Sequence, residues 1–464
     1  MDGLARMEFN NSNQRRTQPS SCASSPLINK DAKTWGFGSG LFLFYLYVKF
    51  ILMTIKAFIT KLIPPFLLKI YHYKMALLSA ILFWFPSKDL IVIGVTGTSG
   101  KSTTVDFITR ILEESFDSAQ GKSVNKVASI SSIRFRIGDK EWKNELKMTM
   151  PGCFKLQKFL RQAIREKCNY AVLEVTSEGI KQYRHKFINF NTAVFTNLTP
   201  EHIEAHGSFK NYRNEKLKLF KETKNIHIIN IDDENAKYFL DIPARQKYFF
   251  RIENKISPNF DGREFLGKSI KAENVHFDNA ISFEVQNIKF HLNLMGNFNI
   301  YNVLAAISVG VSQGISLEIC KRALEKVSGI PGRMEIVVSN PFLVVVDYAH
   351  TPEQLKSVYE TLSNSKSKIL NSKQISNFKF QISNLICVLG SCGGGRDKWK
   401  RPVLGKIAKD YCKEVIVTNE DPYDEDPMTI IEDVAQGANG KAQKILDRRE
   451  AIRMALKLAS PYDT

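Results

Sequence analysis

This sequence predicts an α/β fold, doubly wound around a mostly parallel sheet, and three observations carry the prediction. The apolar run "LIVI" (90–93) feeds the glycine-rich turn "GVTGTSGKSTT" (94–104), which opens "VDFITRILEE" with apolar residues at helical spacing. Three further apolar runs, "YAVLEV", "TAVFTN" and "IHIINI", read as buried strands separated by segments with helical spacing, the alternation a parallel sheet requires. A second series starts beyond Pro331 with the strand "FLVVVDYAH" and continues through "LICVLGS" and "EVIVTNED". These elements divide the chain into a P-loop central domain over 89–330 and a C-terminal Rossmann-like α/β domain over 331–464. An apolar helical segment over 35–88 and a tail over 1–34 precede them.

Taken in chain order, residues 1–34 are rich in Ser, Asn, Gln and Arg and poor in large apolar residues, the composition of a disordered tail. Residues 35–88 turn apolar and aromatic, punctuated by Lys49, Lys56, Lys61, Lys69 and Lys74. The stretch 35–55 nearly reaches the ~20 apolar residues that span a bilayer, but Lys49 interrupts it, and 75–85 is too short. Residues 1–90 hold eleven Lys/Arg against four Asp/Glu, so a cationic element lying on an anionic inner membrane surface fits as well as a span. Helices packed on the following domain are the third reading. The apolar region starts late and no small-residue cleavage site precedes the P-loop, which argues against a cleaved signal peptide. The segment at about 363–384 repeats Ile-Ser-Asn and reads as a low-complexity surface insertion.

Composition bounds the function. The 464 residues carry a formal charge of +18. The lysines are dispersed, with no basic block interleaved with aromatics, which speaks against nucleic acid as a partner. Seven cysteines form no C-x-x-C pair and no metal-site spacing, so a reduced, cytoplasmic compartment is expected.

The chemistry sits at the ends of the strands. A strand entering a glycine-rich turn that opens a helix aims free backbone N–H groups and the positive helix end at one point, where an anion fits. Lys101 would reach the β/γ-phosphates of a nucleotide and the Ser102 hydroxyl would ligate Mg²⁺. The loop is a variant, because Val95 stands where the ordinary pattern has a glycine and the glycines fall at Gly94, Gly97 and Gly100. Glu174, ending "YAVLEV", and His202, in "NLTPEHIEAHGSF", lie at the carboxyl ends of consecutive strands, where open α/β sheets bind ligands, and both are candidates for Mg²⁺.

A series of motifs then resembles one family. In order they are "GVTGTSGKST", "EVTSEG" (174–179), "TNLTPEHIEAHGSFKNYRNEKLKLF" (196–220), "MGNFNIYNVLAAI" (295–307), "PGRME" (331–335), "VVDYAHTPEQL" (345–355), "GGGRDKWKRP" (393–402) and "TNEDPYDEDP" (418–427). From about residue 90 onward the chain resembles the ATP-dependent Mur ligases of peptidoglycan synthesis, most closely the UDP-N-acetylmuramyl-tripeptide synthetases. The resemblance implies an ADP-forming acid–amino acid ligase that uses ATP and Mg²⁺. Its acceptor would be the nucleotide-sugar peptide UDP-N-acetylmuramoyl-L-alanyl-D-glutamate and its donor a free diamino acid, joined through an acyl phosphate.

It also implies roles. Gly97, Thr98, Gly100, Lys101, Ser102 and Thr103 form the phosphate loop, with Thr103 a second hydroxyl, and Glu174 and His202 match the family's Mg²⁺ ligands. Lys216 matches a lysine carried as a carbamate, an anion able to hold a second Mg²⁺. Asn299 and Asn302 resemble the adenine-contacting segment, and Arg333, Asp347, Tyr348 and His350 the ATP-side residues supplied by the C-terminal domain. Thr176, Ser177, Arg396, Asp421 and Tyr423 fall in the motifs that face the substrates.

The sequence departs from the family in places. Tyr423 replaces an arginine whose fork would pair with the distal carboxylate of diaminopimelate, so that donor is not supported here. Residues 35–88 do not resemble the family's N-terminal domain, and the chain stops at "SPYDT" where the family continues, so a truncated C-terminal domain is expected. Glu201 stands where Asp is usual and Gly395 where Asp often precedes Arg-Asp. The alternatives are a related folylpolyglutamate-type ligase acting on another carboxylate, such as a lipid-linked one, and an inactive membrane-tethered nucleotide-binding protein. The expected location is cytoplasmic, with the inner face of the cell membrane reached through residues 35–88 as the variant.

Overall fold

The strand Ile91–Thr96 is β-branched along most of its length and buried almost throughout, because both faces of a parallel sheet are covered. It lies inside an eleven-stranded sheet of a computed structural model that describes residues 64–114, 116–117, 122–123, 125–146, 148–255, 267–277, 280–364 and 384–464. The tail 1–34, the candidate span 35–55 and the bulk of the 363–384 insertion lie outside the described residues. The helix Pro352–Asn364 takes in the first two positions assigned to that insertion.

Across the sheet the order is Ile288–Leu292, Ile281–Val285, Lys268–Phe277, Gln246–Ile252, Ile226–Asn230, Phe190–Phe195, Ile91–Thr96, Tyr170–Glu174, Val127–Ile130, Arg134–Ile137, Lys140–Lys143. The pairings from Lys268–Phe277 through Val127–Ile130 are parallel, and an antiparallel hairpin extends each edge. The runs "YAVLEV", "TAVFTN" and "IHIINI" are therefore strands, as their sequences predict.

Alternate residues of one strand enter two different cores, the signature of winding on both faces. Ile93 and Val95 join a core built with the helices Lys101–Glu114, Phe298–Ser312 and Leu317–Glu325. Val92 joins the opposite core, built with Cys153–Arg165, Phe209–Glu222 and Ala236–Leu240. Val194 and Ile228 face the first core, Ala193, Phe195 and Ile229 the second.

The C-terminal part has its own core and a parallel sheet of Ile386–Leu389, Glu414–Thr418 and Ala442–Ile445. Here one expectation is corrected. The "FLVVVDYAH" strand does not begin this parallel sheet: Val344–Val346 pairs antiparallel with Glu335–Val338. The backbone groups beside it are bonded instead to residues 463 and 464. Leu343 N donates to Asp463 O at 2.9 Å, Ile386 N to Thr464 O at 2.8 Å, and Thr464 N to Asn384 O at 2.9 Å.

A helix over Pro65–Leu82 precedes the sheet. From Lys69 on, Ala76, Ser79 and Ala80 are its buried residues, while Ile70, Tyr71, Leu78, Ile81 and Leu82, with Trp84 beyond its end, are exposed. Among the described residues no helix is long and apolar enough to cross a membrane. Residues 69–464 form one compact unit.

Candidate active site

The glycine-rich turn leaves the carboxyl end of Ile91–Thr96, between the ends of Tyr170–Glu174 and Phe190–Phe195. Two glycines fit it there. A Cβ on Gly97 (φ +153°) would lie 1.9 Å from Thr196 Oγ1, and one on Gly100 (φ +77°) 2.1 Å from Asn302 Oδ1. The neighbouring strand end pins the loop: Ser99 N and Oγ donate to Asn197 Oδ1 at 2.9 and 3.0 Å, and Thr196 Oγ1 donates to Ser99 O at 2.8 Å.

Beside it, Ser102 Oγ donates to Glu174 Oε2 at 2.7 Å, and Ser132 N donates to the same oxygen at 3.0 Å. Lys101 Nζ lies 3.9 Å from Glu174 Oε1 and donates to Thr98 O at 2.7 Å. His202 holds φ 55°, a left-handed backbone that non-glycine residues adopt sparingly and that clusters at functional sites. Burial pushes its imidazole down to about 4, with Arg396, Lys216 and Lys101 adding to the effect against Glu201, so it is neutral, the form that ligates metals.

The C-terminal domain closes the site from above. Arg333 Nη2 lies 3.4 Å from Ser132 Oγ and its guanidinium sits 4.5 Å over the Tyr348 ring. Asp347 accepts from Met334 N at 2.8 Å and Ala349 N at 2.7 Å, which fixes the turn carrying Tyr348 and His350. His350 Nε2 meets Glu201 Oε1 at 3.0 Å, and Lys400 Nζ lies 3.9 Å from the same oxygen. Burial works against the Glu201 charge, but His350 and Lys400 outweigh it and hold the carboxyl well below the usual range.

A cavity of about 740 Å³ unites these groups. Thr98, Gly100 to Thr103, Thr176, Ser177, Glu174, His202, Asn302, Arg333, Asp347, Tyr348, His350, Arg396 and Tyr423 line it. Four of the residues selected from the sequence do not. Gly97, within the loop, and Asn299 lie outside the lining, the latter donating to Met295 O at 2.6 Å and accepting from Asn302 Nδ2 at 3.0 Å. Asp421 is exposed outside the lining, its carbonyl accepting from Gly393 N at 3.1 Å. Lys216 is 1% exposed and donates to Gly97 O at 2.7 Å. Burial, with Lys101 adding, holds its amine well below the usual lysine range. Thr176 acts on its own helix as well, its hydroxyl capping Ser177–Lys181 through Gly179 N at 3.1 Å.

Asn197 and Ser132 are site residues that reading the sequence missed. The Asn following "TAVFT", at the end of a strand next to the loop, is the one signal that marks Asn197. Nothing local marks Ser132.

The profile of the Mur ligase middle domain matches residues 95–310, and that of the Mur ligase glutamate ligase domain matches 332–464. A UDP-N-acetylmuramoyl-L-alanyl-D-glutamate--2,6-diaminopimelate ligase of Syntrophomonas wolfei subsp. wolfei is 38% identical over 407 residues, covering 84% of this chain and 75% of the relative. The chain belongs to the Mur ligase family. As a Mur ligase it is of the ATP-dependent, ADP-forming amide ligase class. A UDP-N-acetylmuramyl-tripeptide synthetase of Roseiflexus sp. (strain RS-1) is 33% identical over 430 residues, covering 86% of this chain and 78% of the relative. The Mur ligase fold extends to a folylpolyglutamate synthase of Mycobacterium tuberculosis, solved with ADP and AMPPCP, at TM-score 0.62 and 16% identity over 83% of this chain and 88% of that one.

Proposed function

We propose that this chain joins a diamino acid to UDP-N-acetylmuramoyl-L-alanyl-D-glutamate in the cytoplasm, at the expense of ATP. The observation that carries the reading is the single cavity in which the phosphate loop, the Ser102–Glu174 pair and, from the C-terminal domain, Arg333, Arg396 and Tyr423 face one another. We place the border between the two domains at Pro331. The acceptor carboxylate attacks the γ-phosphorus, ADP leaves, the donor amine attacks the acyl carbon, and phosphate leaves as the amine gives up a proton. Lys101 and Arg333 would neutralise charge on the phosphates, Thr176, Ser177 and Arg396 would orient the substrates, and Asn302 would border the adenine.

The donor set fits Mg²⁺. Among the described residues no three His, Cys, Asp or Glu converge, and Mg²⁺ is ordinarily held by one or two carboxylates together with substrate phosphates and water. Ser102 and Glu174, already 2.7 Å apart, offer that arrangement, with neutral His202 beside them. Bound there, Mg²⁺ would supply charge neutralisation at the phosphates. Lys216 is suited to carbamate formation, since burial disfavours its charged form and so favours the nucleophilic amine; the modified group would have to leave the Gly97 carbonyl.

Tyr423 offers no fork for a distal carboxylate, whereas the Syntrophomonas relative is named for 2,6-diaminopimelate. The assay separates these: phosphate release from ATP with the acceptor and L-lysine, diaminopimelate or ornithine in turn, each omission, and a Lys101→Ala control. Release that requires acceptor and one amine, and disappears in the control, is expected. Release that instead follows a polyglutamate acceptor, or ignores the amine, overturns the reading.

A second reading concerns Lys69–Lys88. The exposed Ile70, Leu78, Ile81, Leu82 and Trp84, accompanied by Lys69, Lys74 and Lys88, support peripheral contact with an anionic membrane. Flotation with phosphatidylglycerol vesicles, lost on Ile81→Asp with Trp84→Asp in the full chain, tests it; unchanged flotation of that variant rejects it.

A further inference from the structure

Only a few side chains tie the loop that carries His202 to the C-terminal domain, and two of them form a reciprocal pair. Asp397 Oδ1 accepts from Glu204 N at 2.9 Å, while Glu204 Oε1 accepts from Lys398 N at 2.7 Å. Each carboxylate thus takes a backbone N–H from the segment that carries the other. Two antiparallel bonds between the same two segments fix rotation as well as distance, which a single bond would leave free to pivot. The donors are backbone groups and the acceptors carboxylates, so both bonds are charge-assisted, about twice as strong as neutral ones. Glu204 N is also one of the unpaired donors in the first turn of Ile203–His206, so the bond from Asp397 satisfies a group the helix cannot.

The placement gives the pair its significance. Glu204 stands two residues from His202, and Asp397 directly follows Arg396; His202 and Arg396 both line the cavity. Asp397 is 2% exposed and its Oδ2 has no hydrogen-bond partner among the described residues, so the bond to Glu204 carries most of what holds this carboxylate. The neighbouring contacts of Glu201 with His350 and Lys400 act on the same loop from the other side.

We propose that Glu204 and Asp397 are positioning residues, a clamp that sets the separation of His202 on the central domain from Arg396 on the C-terminal domain. Neither touches the nucleotide loop. The inference rests on the ligase reading for its kinetic consequence, though not for its structural one. With the two anchor points free to shift by an ångström, alignment of the acceptor with the donor amine suffers while ATP still binds.

The test uses the full chain with Glu204→Ala, Asp397→Ala, both together, and Glu204→Gln, whose amide oxygen still accepts from Lys398 N. The alanine variants are expected to lose ~10²-fold in kcat/KM for the amine with an unchanged Kd for a fluorescent ATP analogue. The double variant should be little worse than either single one, and Glu204→Gln should recover most of the loss. Hydrogen exchange reads the clamp without catalysis: Glu204→Ala should accelerate exchange at 397–399, and Asp397→Ala at 203–205, each by roughly tenfold or more. Wild-type exchange at the opposite segment overturns the proposal, as does wild-type kcat/KM in the alanine variants. A parallel fall in ATP binding does so as well, because it marks general disruption. Absence of amine-dependent turnover in the unaltered chain defeats the ligase reading instead, and the exchange data then decide the clamp alone.

Discussion

The molecule contains two strand, glycine-rich loop and helix units, and they differ in what the helix start faces. After Ile91–Thr96, the residues Thr98 to Thr103 open onto the cavity, and the first turn of Lys101–Glu114 holds Lys101 and Ser102 against Glu174. After Ile386–Leu389, the loop brings Gly394 to Arg396 to the same cavity but its helix start does not reach it: a Cβ on Gly393 would lie 2.2 Å from Pro422 O, and Arg401, in the first turn of Lys400–Tyr411, is fully buried. Its guanidinium donates to Asp433 Oδ2 and Glu425 Oε2, each at 2.9 Å. The first turn of this helix holds a buried arginine tied to protein carboxylates, where that of Lys101–Glu114 holds groups that line the cavity. Glycines before a helix therefore mark a phosphate site only when the first turn opens onto a cavity.

Breaking the first helix start should cost function, and breaking the second helix start should cost stability. Lys101→Ala is expected to lower kcat by at least ~10² to 10³ in the phosphate-release assay, with the fold intact by circular dichroism. A loss below tenfold would remove the distinction between the loops. Arg401→Ala leaves Asp433 without its arginine and Glu425 with Lys398 alone; since Asp433 is partly exposed, about 2 to 3 kcal/mol is expected in denaturant unfolding, with ATP affinity unaltered in the folded fraction.

A third prediction concerns pH. His202 titrates at about 4 when folded and near 6.5 when unfolded, so between those values the unfolded chain binds the extra proton. Its contribution is whole above pH 6.5 and is lost as pH falls toward 4, by up to ~3 kcal/mol in protein freed of divalent ions. His202→Gln should flatten that stretch of the unfolding curve. The smallest effect sharpens the C-terminal loop's role: Tyr423→Arg should lower the KM for diaminopimelate by about tenfold relative to L-lysine, through the fork it restores. An unchanged ratio would take Tyr423 out of donor selection.

Much of this was legible in the chain. The phosphate loop, the buried strands on either side of it, and Glu174 at a strand end follow from period, turn chemistry and order alone, because each is encoded within a dozen neighbouring residues. Local reading failed where the partner lies far along the sequence. Ser132 reaches Glu174 because Val127–Ile130 pairs with Tyr170–Glu174, and Asn197 reaches Ser99 because Phe190–Phe195 pairs with Ile91–Thr96.

Lys216 is a similar case: its motif marks it, but that its amine is buried on the Gly97 carbonyl is decided by how Phe209–Glu222 packs on the loop. The helix Pro65–Leu82 lies in the segment whose composition left a span, a membrane-surface element and packing on the next domain open, and beyond Lys69 it buries Ala76, Ser79 and Ala80 and exposes its larger apolar residues. The sequence by itself determined which segments form strands and helices and where the glycine-rich loop opens a helix, since those depend on local sterics and turn chemistry. Only the tertiary structure decided which strand ends become neighbours, which face of a helix is covered, and that Glu204 meets Asp397, because those outcomes depend on how distant segments share one core.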